Sequence, residues 1–108
     1  MTIFVVETYV VKPDKLGEFA EFGKKYIEWT KKRPDLYKDL KSWKLFTHVI
    51  GGVWGGYVEM SEFENLADAE KHLNMAMQDK EFMTEIYQQI MALIVPGTLS
   101  MNIWMPVA

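Results

Sequence analysis

The stretch VWGGYVEMSEFENLADAEKH, residues 53–72, constrains the fold of this chain more than any other. It reads as a strand that passes through acidic residues into an amphipathic helix. Side chains along a strand alternate between its two faces. Trp54, Val58 and Met60 therefore share one face, while Val53, Tyr57 and Glu59 share the other. Both faces are apolar, with one carboxylate embedded. Each needs a cover, and the chain's own helices can supply only one. The pattern points to a fold and an assembly before it points to a reaction.

The rest of the chain supplies three more strands and two helical regions. Residues 3–11 (IFVVETYVV) are β-branched and aromatic, the signature of a strand. Phe4, Val6, Thr8 and Val10 fall on one face; Ile3, Val5, Glu7, Tyr9 and Val11 fall on the other. Pro13-Asp14 ends this strand, with Asp14 a candidate helix N-cap. Over residues 15–32, Leu16, Phe19, Phe22, Tyr26 and Trp29 recur at helical spacing. Residues 35–41 predict a short helical turn. Residues 43–50 (WKLFTHVI) predict a second strand, with Leu45, Thr47 and Val49 opposite Lys44, Phe46, His48 and Ile50. Gly51-Gly52 turns it back as a hairpin into a third strand starting near Val53. Gly55-Gly56 then falls inside that strand. It marks a bulge, a close approach, or small residues under large aromatics.

A helix is expected from Asn65, burying Leu66, Ala69, Leu73, Ala76 and Met77. Asp79 opens another over residues 80–95, which Pro96-Gly97 stops. Residues 98–105 predict the fourth strand, with Leu99, Met101, Ile103 and Met105 on one face and Thr98, Ser100, Asn102 and Trp104 on the other. The order is β-α-β-β-α-β. That is an α+β, ferredoxin-like arrangement with a four-stranded antiparallel sheet, and it makes residues 1–108 a single domain.

Composition excludes several classes. The chain has no Cys, so disulfides, thiolate nucleophiles and Cys-based metal sites are out. A formal net charge of −3 argues against a nucleic-acid partner. Lys31-Lys32-Arg33 follows a helix, where cations suit the C-terminal dipole. No apolar run is long enough to span a membrane. The N-terminus reads as a strand rather than a signal peptide, so a cytoplasmic location is expected.

Sorted by polarity, one set of strand faces is nearly pure apolar: Phe4/Val6/Val10, Leu45/Val49, Val58/Met60 and Leu99/Met101/Ile103. The helices are expected to pack there. The other set is mixed: Val5/Glu7/Tyr9, Phe46/His48, Tyr57/Glu59 and Asn102/Trp104. This second face also carries Ile3, Val11, Ile50 and Val53, a patch uncommon on a soluble monomer. A second copy of the sheet is the simplest cover, since symmetric dimers are the commonest homo-oligomers. Its polar residues would then surround a cavity between the two sheets, the usual form of a small-molecule site.

Two stretches carry a family resemblance. ETYVVKPDKLGEF (residues 7–19) looks like the opening of NIPSNAP-like proteins, where a strand with an acidic and a Tyr position runs into a Pro-containing turn and a helix. YVEMSEFENLADAEKHL (residues 57–73), followed by DKEF (residues 79–82), resembles both that group and the antibiotic-biosynthesis-type monooxygenases. Its matching features are Glu59, Ser61-Glu62, and Ala69 through His72. The resemblance spans nearly the whole chain and implies a dimeric α+β barrel, a homodimer or higher oligomer with a cavity in each protomer. Enzymatic members oxidise aromatic polyketides without metal or flavin, or degrade haem. Haem degradation uses a strand Asn, a Trp and a helix His. His72 matches the last, but strand one carries Glu7, Thr8 and Tyr9 and no Asn.

The expected function is a small-molecule-binding barrel that acts as a cofactor-independent monooxygenase or related enzyme on an apolar or aromatic ligand. Glu59 and His48 are the candidates for proton transfer. Glu7, Tyr9, Tyr57, Asn102, Trp104 and His72 are the candidates for shaping the cavity. No cofactor is expected; haem, or a metal held by Glu7, Glu59 and His48, is the alternative. The competing class is a non-catalytic assembly or binding module whose barrel interior is packed solid.

Overall fold

The computed structural model describes residues 2–108. Four strands form where the β-branched and aromatic runs lie: β1 (Ile3–Val10), β2 (Ser42–Thr47), β3 (Gly56–Phe63) and β4 (Ser100–Trp104). They make one antiparallel sheet in the order β2-β3-β1-β4. Helix α1 (Leu16–Lys31) and the short α2 (Pro34–Tyr37) connect β1 to β2. Helices α3 (Leu66–Gln78) and α4 (Gln88–Leu93) connect β3 to β4, with a π-helical segment, Phe82–Tyr87, leading into α4. This is the ferredoxin-like order expected from the sequence.

Local chemistry sets the helix ends. Asn65 caps α3 by accepting from the Asp68 N–H at 2.8 Å, and Asp79 accepts from the Phe82 N–H at 2.8 Å. Asp14 does not act as a cap. It lies inside a 3-10 turn, Pro13–Lys15, which Pro13 opens. Arg33 is committed to an ion-pair network, reaching both carboxylate oxygens of Asp79 at 3.0 and 2.7 Å, with Asp35 and Glu81 alongside. It joins the end of α1 to the start of the π-helical segment.

The register corrects the expected sorting of faces. Glu7 lies opposite both Glu59 and Met101, and Leu45 lies opposite Glu59. Val5, Glu7, Tyr9, Trp43, Leu45, Tyr57, Glu59, Met101 and Ile103 therefore share one face. The helices pack on this face. One core cluster joins Tyr9 and Val11 to Phe19, Phe22, Ile86, Leu93 and Ile94; a second joins Ile3, Val5 and Phe63 to Ala69. The nearly pure apolar face of β1 and β3 is the one left without helices. It carries Phe4, Val6, Thr8, Val10, Val58 and Met60 together with Lys44, Phe46, Asn102 and Trp104. The physical reason lies in Tyr9 and Trp43. Their rings supply large apolar area to the helix side while their polar tips satisfy the embedded carboxylate.

The hairpin is also longer than expected. β2 ends at Thr47 and β3 begins at Gly56, so residues 48–55 form a loop rather than a tight turn. Val49, Ile50, Val53 and Trp54 stand out into solvent on it. Gly55 sits at the loop's end, not inside the strand. Its φ is +77°, its carbonyl accepts from the Val11 N–H at 2.9 Å, and a Cβ there would lie 3.0 Å from the Val11 oxygen. The close approach foreseen for the Gly pair is real, and only glycine fits it.

Candidate functional site

Antiparallel pairing sets Glu7 of β1 directly across from Glu59 of β3, and Tyr9 across from Tyr57. Side chains directly opposite in this way stand about 5 Å apart at Cβ, where two ionised carboxylates repel. Glu59 resolves part of this conflict through its partners. The Tyr9 hydroxyl donates to its Oε2 at 2.8 Å and the Trp43 indole N–H donates to its Oε1 at 3.0 Å. Both oxygens of Glu59 are thus engaged. Glu7 has no hydrogen-bond partner among the described residues.

The helices close an apolar cavity of about 100 Å³ over this pair. α1 contributes Phe19, Phe22 and Tyr26, and the π-helical segment contributes Phe82, Ile86 and Tyr87. The Gln88 N–H reaches back five residues to the Met83 carbonyl. That extra residue in the turn is a device often found where helices line functional sites. A neighbouring lobe of about 340 Å³ shares Glu7, Tyr26, Trp43 and Glu59 and extends toward Ser61, His72 and Met77.

Burial dominates the electrostatics. Desolvation first, and then the charge of Glu59, pushes the Glu7 carboxyl up to about 7 from an ordinary value of 4.5. Desolvation also raises Glu59, opposed by the hydrogen bonds from Tyr9 and Trp43. Tyr9 is raised by desolvation and by its neighbour Glu59, and Tyr26 by desolvation and Tyr37, whose hydroxyl lies 3.3 Å away. Both tyrosines stay protonated across the physiological range. Two coupled carboxyls above the ordinary range, in an apolar cavity, can hold one proton and pass it on near neutral pH.

The residues expected from the sequence divide cleanly. Glu7, Tyr9 and Glu59 meet in the cavity. Tyr57 buttresses it, with its ring 4.7 Å from that of Phe19 and 6.3 Å from that of Tyr9. His72 lines the outer lobe. Its Nδ1 is bound to the Leu36 carbonyl at 2.8 Å, and burial holds its pKa below the usual histidine value. His48 lies beyond the end of β2, exposed beside Gly52 and Gly56, away from both carboxylates. Asn102 and Trp104 are on the opposite face of the sheet, paired with Val6 and Phe4. Glu7, Tyr9 and Glu59, expected on the face turned to a second sheet, line a cavity between the sheet and the helices of a single chain instead.

The residues named for the haem and metal alternatives do not gather at one place. For haem, the one matching residue is His72, whose Nδ1 is held by the Leu36 carbonyl, and β1 carries no Asn. His48 is not placed to join Glu7 and Glu59 around a metal, and no other group of three His, Cys, Asp or Glu stands ready among the described residues. Trp43 and Tyr26 were not among the expected site residues. The signal for Trp43 was its period-two relation to Leu45; Tyr26 already stood in the apolar stripe of α1.

No family model matches the chain, and no curated protein matches it in sequence. Solved structures do match it in fold. A NIPSNAP-like domain protein from Burkholderia xenovorans superposes with a TM-score of 0.74 at 21% identity, over 99% of this chain and 86% of that one. A NIPSNAP family protein from Agrobacterium tumefaciens gives 0.75 at 17% identity, over 99% and 94%. An antibiotic biosynthesis monooxygenase gives 0.68 at 16% identity, over 98% and 99%. The fold is the one these proteins share, as the resemblance implied.

Proposed function

We propose that this chain is a small-molecule-binding protein of the dimeric α+β barrel type, with acid–base chemistry at Glu7 and Glu59 in its helix-side cavity. The observation that carries this reading is the direct opposition of two carboxyls inside an otherwise apolar, aromatic-walled cavity. A purely structural core has no use for that arrangement, because burying a carboxyl without a partner costs stability. Glu59, fixed by Tyr9 and Trp43, is the ordered partner. Glu7, with open oxygens, is the group that faces a ligand. In the cofactor-independent oxygenase reading, Glu7 takes a proton from an apolar or aromatic substrate that lies against the aromatic walls. The likeness to an antibiotic biosynthesis monooxygenase supports that reading at the level of fold. Two copies would meet through the sheet face that carries Phe4, Phe46, Val58 and Trp104, leaving each cavity complete within its own chain. No helix among the described residues is long and apolar enough to cross a membrane.

Trp43 gives a direct test, since its indole bonds Glu59 and lines the cavity. Titration with a panel of flat aromatic ligands and haem is expected to change tryptophan emission for at least one aromatic member. Trp43→Phe is expected to remove the response without loss of fold. A flat response across the panel overturns the binding reading.

A further inference from the structure

We propose that the preferred ligand of the cavity is an organic cation, a small amine with an aromatic or alkyl body whose ammonium group meets the free carboxylate of Glu7. This rests on the cavity being a ligand site, and it names the chemical class. Three observations carry it. The cavity wall holds two carboxyls and no Lys, Arg or His. Each oxygen of Glu59 already accepts one hydrogen bond, from Tyr9 or Trp43, whereas Glu7 accepts none from a side chain among the described residues. The remaining walls near the pair are ring-rich, with Tyr9, Tyr26, Trp43 and Tyr87 contributing.

Chemistry ranks the ligand classes on those grounds. An anion meets two like charges. A neutral apolar ligand covers Glu7 and leaves its acceptors unpaired, which is costly in a desolvated site. An ammonium group donates to Glu7, lies among the negative faces of the rings and balances the charge. The titratable groups facing Glu7 are Glu59 from β3, Tyr9 on its own strand, Tyr26 from α1 and Tyr87 from the π-helical segment; Tyr37 and His72 line the neighbouring lobe. None of these is a cation near neutral pH, because burial disfavours the imidazolium of His72. Lys44, the lysine of β2, pairs with Met60 on the opposite face. A bound cation therefore ionises Glu7, and binding near pH 7 is accompanied by proton release.

The test is calorimetric titration of the full chain with three matched compounds: 2-phenylethylammonium, 2-phenylethanol and phenylacetate. Near pH 8 the ammonium compound is expected to bind about tenfold or more tighter than the alcohol. The margin should shrink near pH 6 as Glu7 takes up a proton. Glu7→Gln is expected to erase the margin by lowering the ammonium compound's affinity toward that of the alcohol. Titrations in two buffers of different ionisation enthalpy read the proton release in the unmutated protein. Equal or tighter binding of the alcohol or phenylacetate, or a margin that survives Glu7→Gln, overturns the cation assignment but leaves the cavity a binding site. Failure of all three to bind overturns the cation assignment and counts against the binding reading as well.

Discussion

Glu7 is a residue whose burial opposes its charge, and stability should record the conflict. Its folded pKa of about 7 lies above its ordinary value of 4.5. A carboxyl raised on folding favours the native state fully below its unfolded pKa, and that contribution is lost as pH rises through the folded value. The protein should lose stability between about pH 4.5 and pH 7, and Glu7→Gln should remove that loss. The variant's advantage in urea denaturation should be near zero at the acid end and at most about 3 kcal/mol above neutrality. A pH-independent difference would contradict this account. Phe63 is the opposite case, a side chain without exposure between Ile3, Val5 and Ala69. Phe63→Ala should cost about 3–5 kcal/mol through the cavity it leaves, read as a lower urea midpoint with an unchanged slope. The sequence showed the paired acids as candidates because period-two alternation keeps Glu7 with Tyr9 and Glu59 with Tyr57. Which of the two would be free depended on Trp43 and Tyr9, and no spacing rule reports such contacts.

Elements carry the next level of specification. The loop of residues 48–55 replaces the expected tight turn because Gly55 docks its backbone on Val11 before the strand begins. Gly55→Ala meets both a positive φ and the Val11 carbonyl. It should destabilise the fold by about 1 kcal/mol or more and lower the melting temperature. Asp79 serves two elements at once, capping the π-helical segment and binding Arg33. Asp79→Ala should lose both functions and Asp79→Asn only the ion pair, so thermal melts should rank wild type above Asn and Asn above Ala. The cap at Asp79 was visible in the sequence because a capping side chain acts on backbone within three residues, whereas Asp14, the other candidate, lies inside a 3-10 turn. The π-turn was not visible. Its apolar spacing is close to that of an ordinary helix, and the five-residue backbone bond from Gln88 to Met83 is what distinguishes it.

The face of the sheet opposite the helices governs assembly at the level of the whole molecule. Val6 at its centre is already buried between Met60 and Asn102, but Phe46 and Trp104 at its sides are 46% and 52% exposed. Apolar area of this kind is worth about 25 cal/mol per Å² when covered. Sedimentation equilibrium should therefore give twice the chain mass. The double change Phe46→Lys and Trp104→Lys should give single chains that keep the cavity's ligand binding, because no cavity residue lies on that face. A wild-type chain that sediments alone would remove the dimer from the proposed function while leaving the cavity intact.

Local pattern by itself determined the order of strands and helices, the cap at Asp79, the surplus of apolar sheet surface and the presence of two carboxyls on strands that pair. Each follows from periodicity or from short-range backbone chemistry, which a linear chain displays. The tertiary structure decided which sheet face the helices cover, and so where the cavity lies. Each strand offers two faces of similar apolar weight, and the choice between them depends on register across β1, β3 and β4. It also depends on whether Tyr9 and Trp43 can satisfy Glu59 while burying their rings. Those are long-range pairings, and that is why His48, Asn102 and Trp104 lie outside the site while Trp43 and Tyr26 line it.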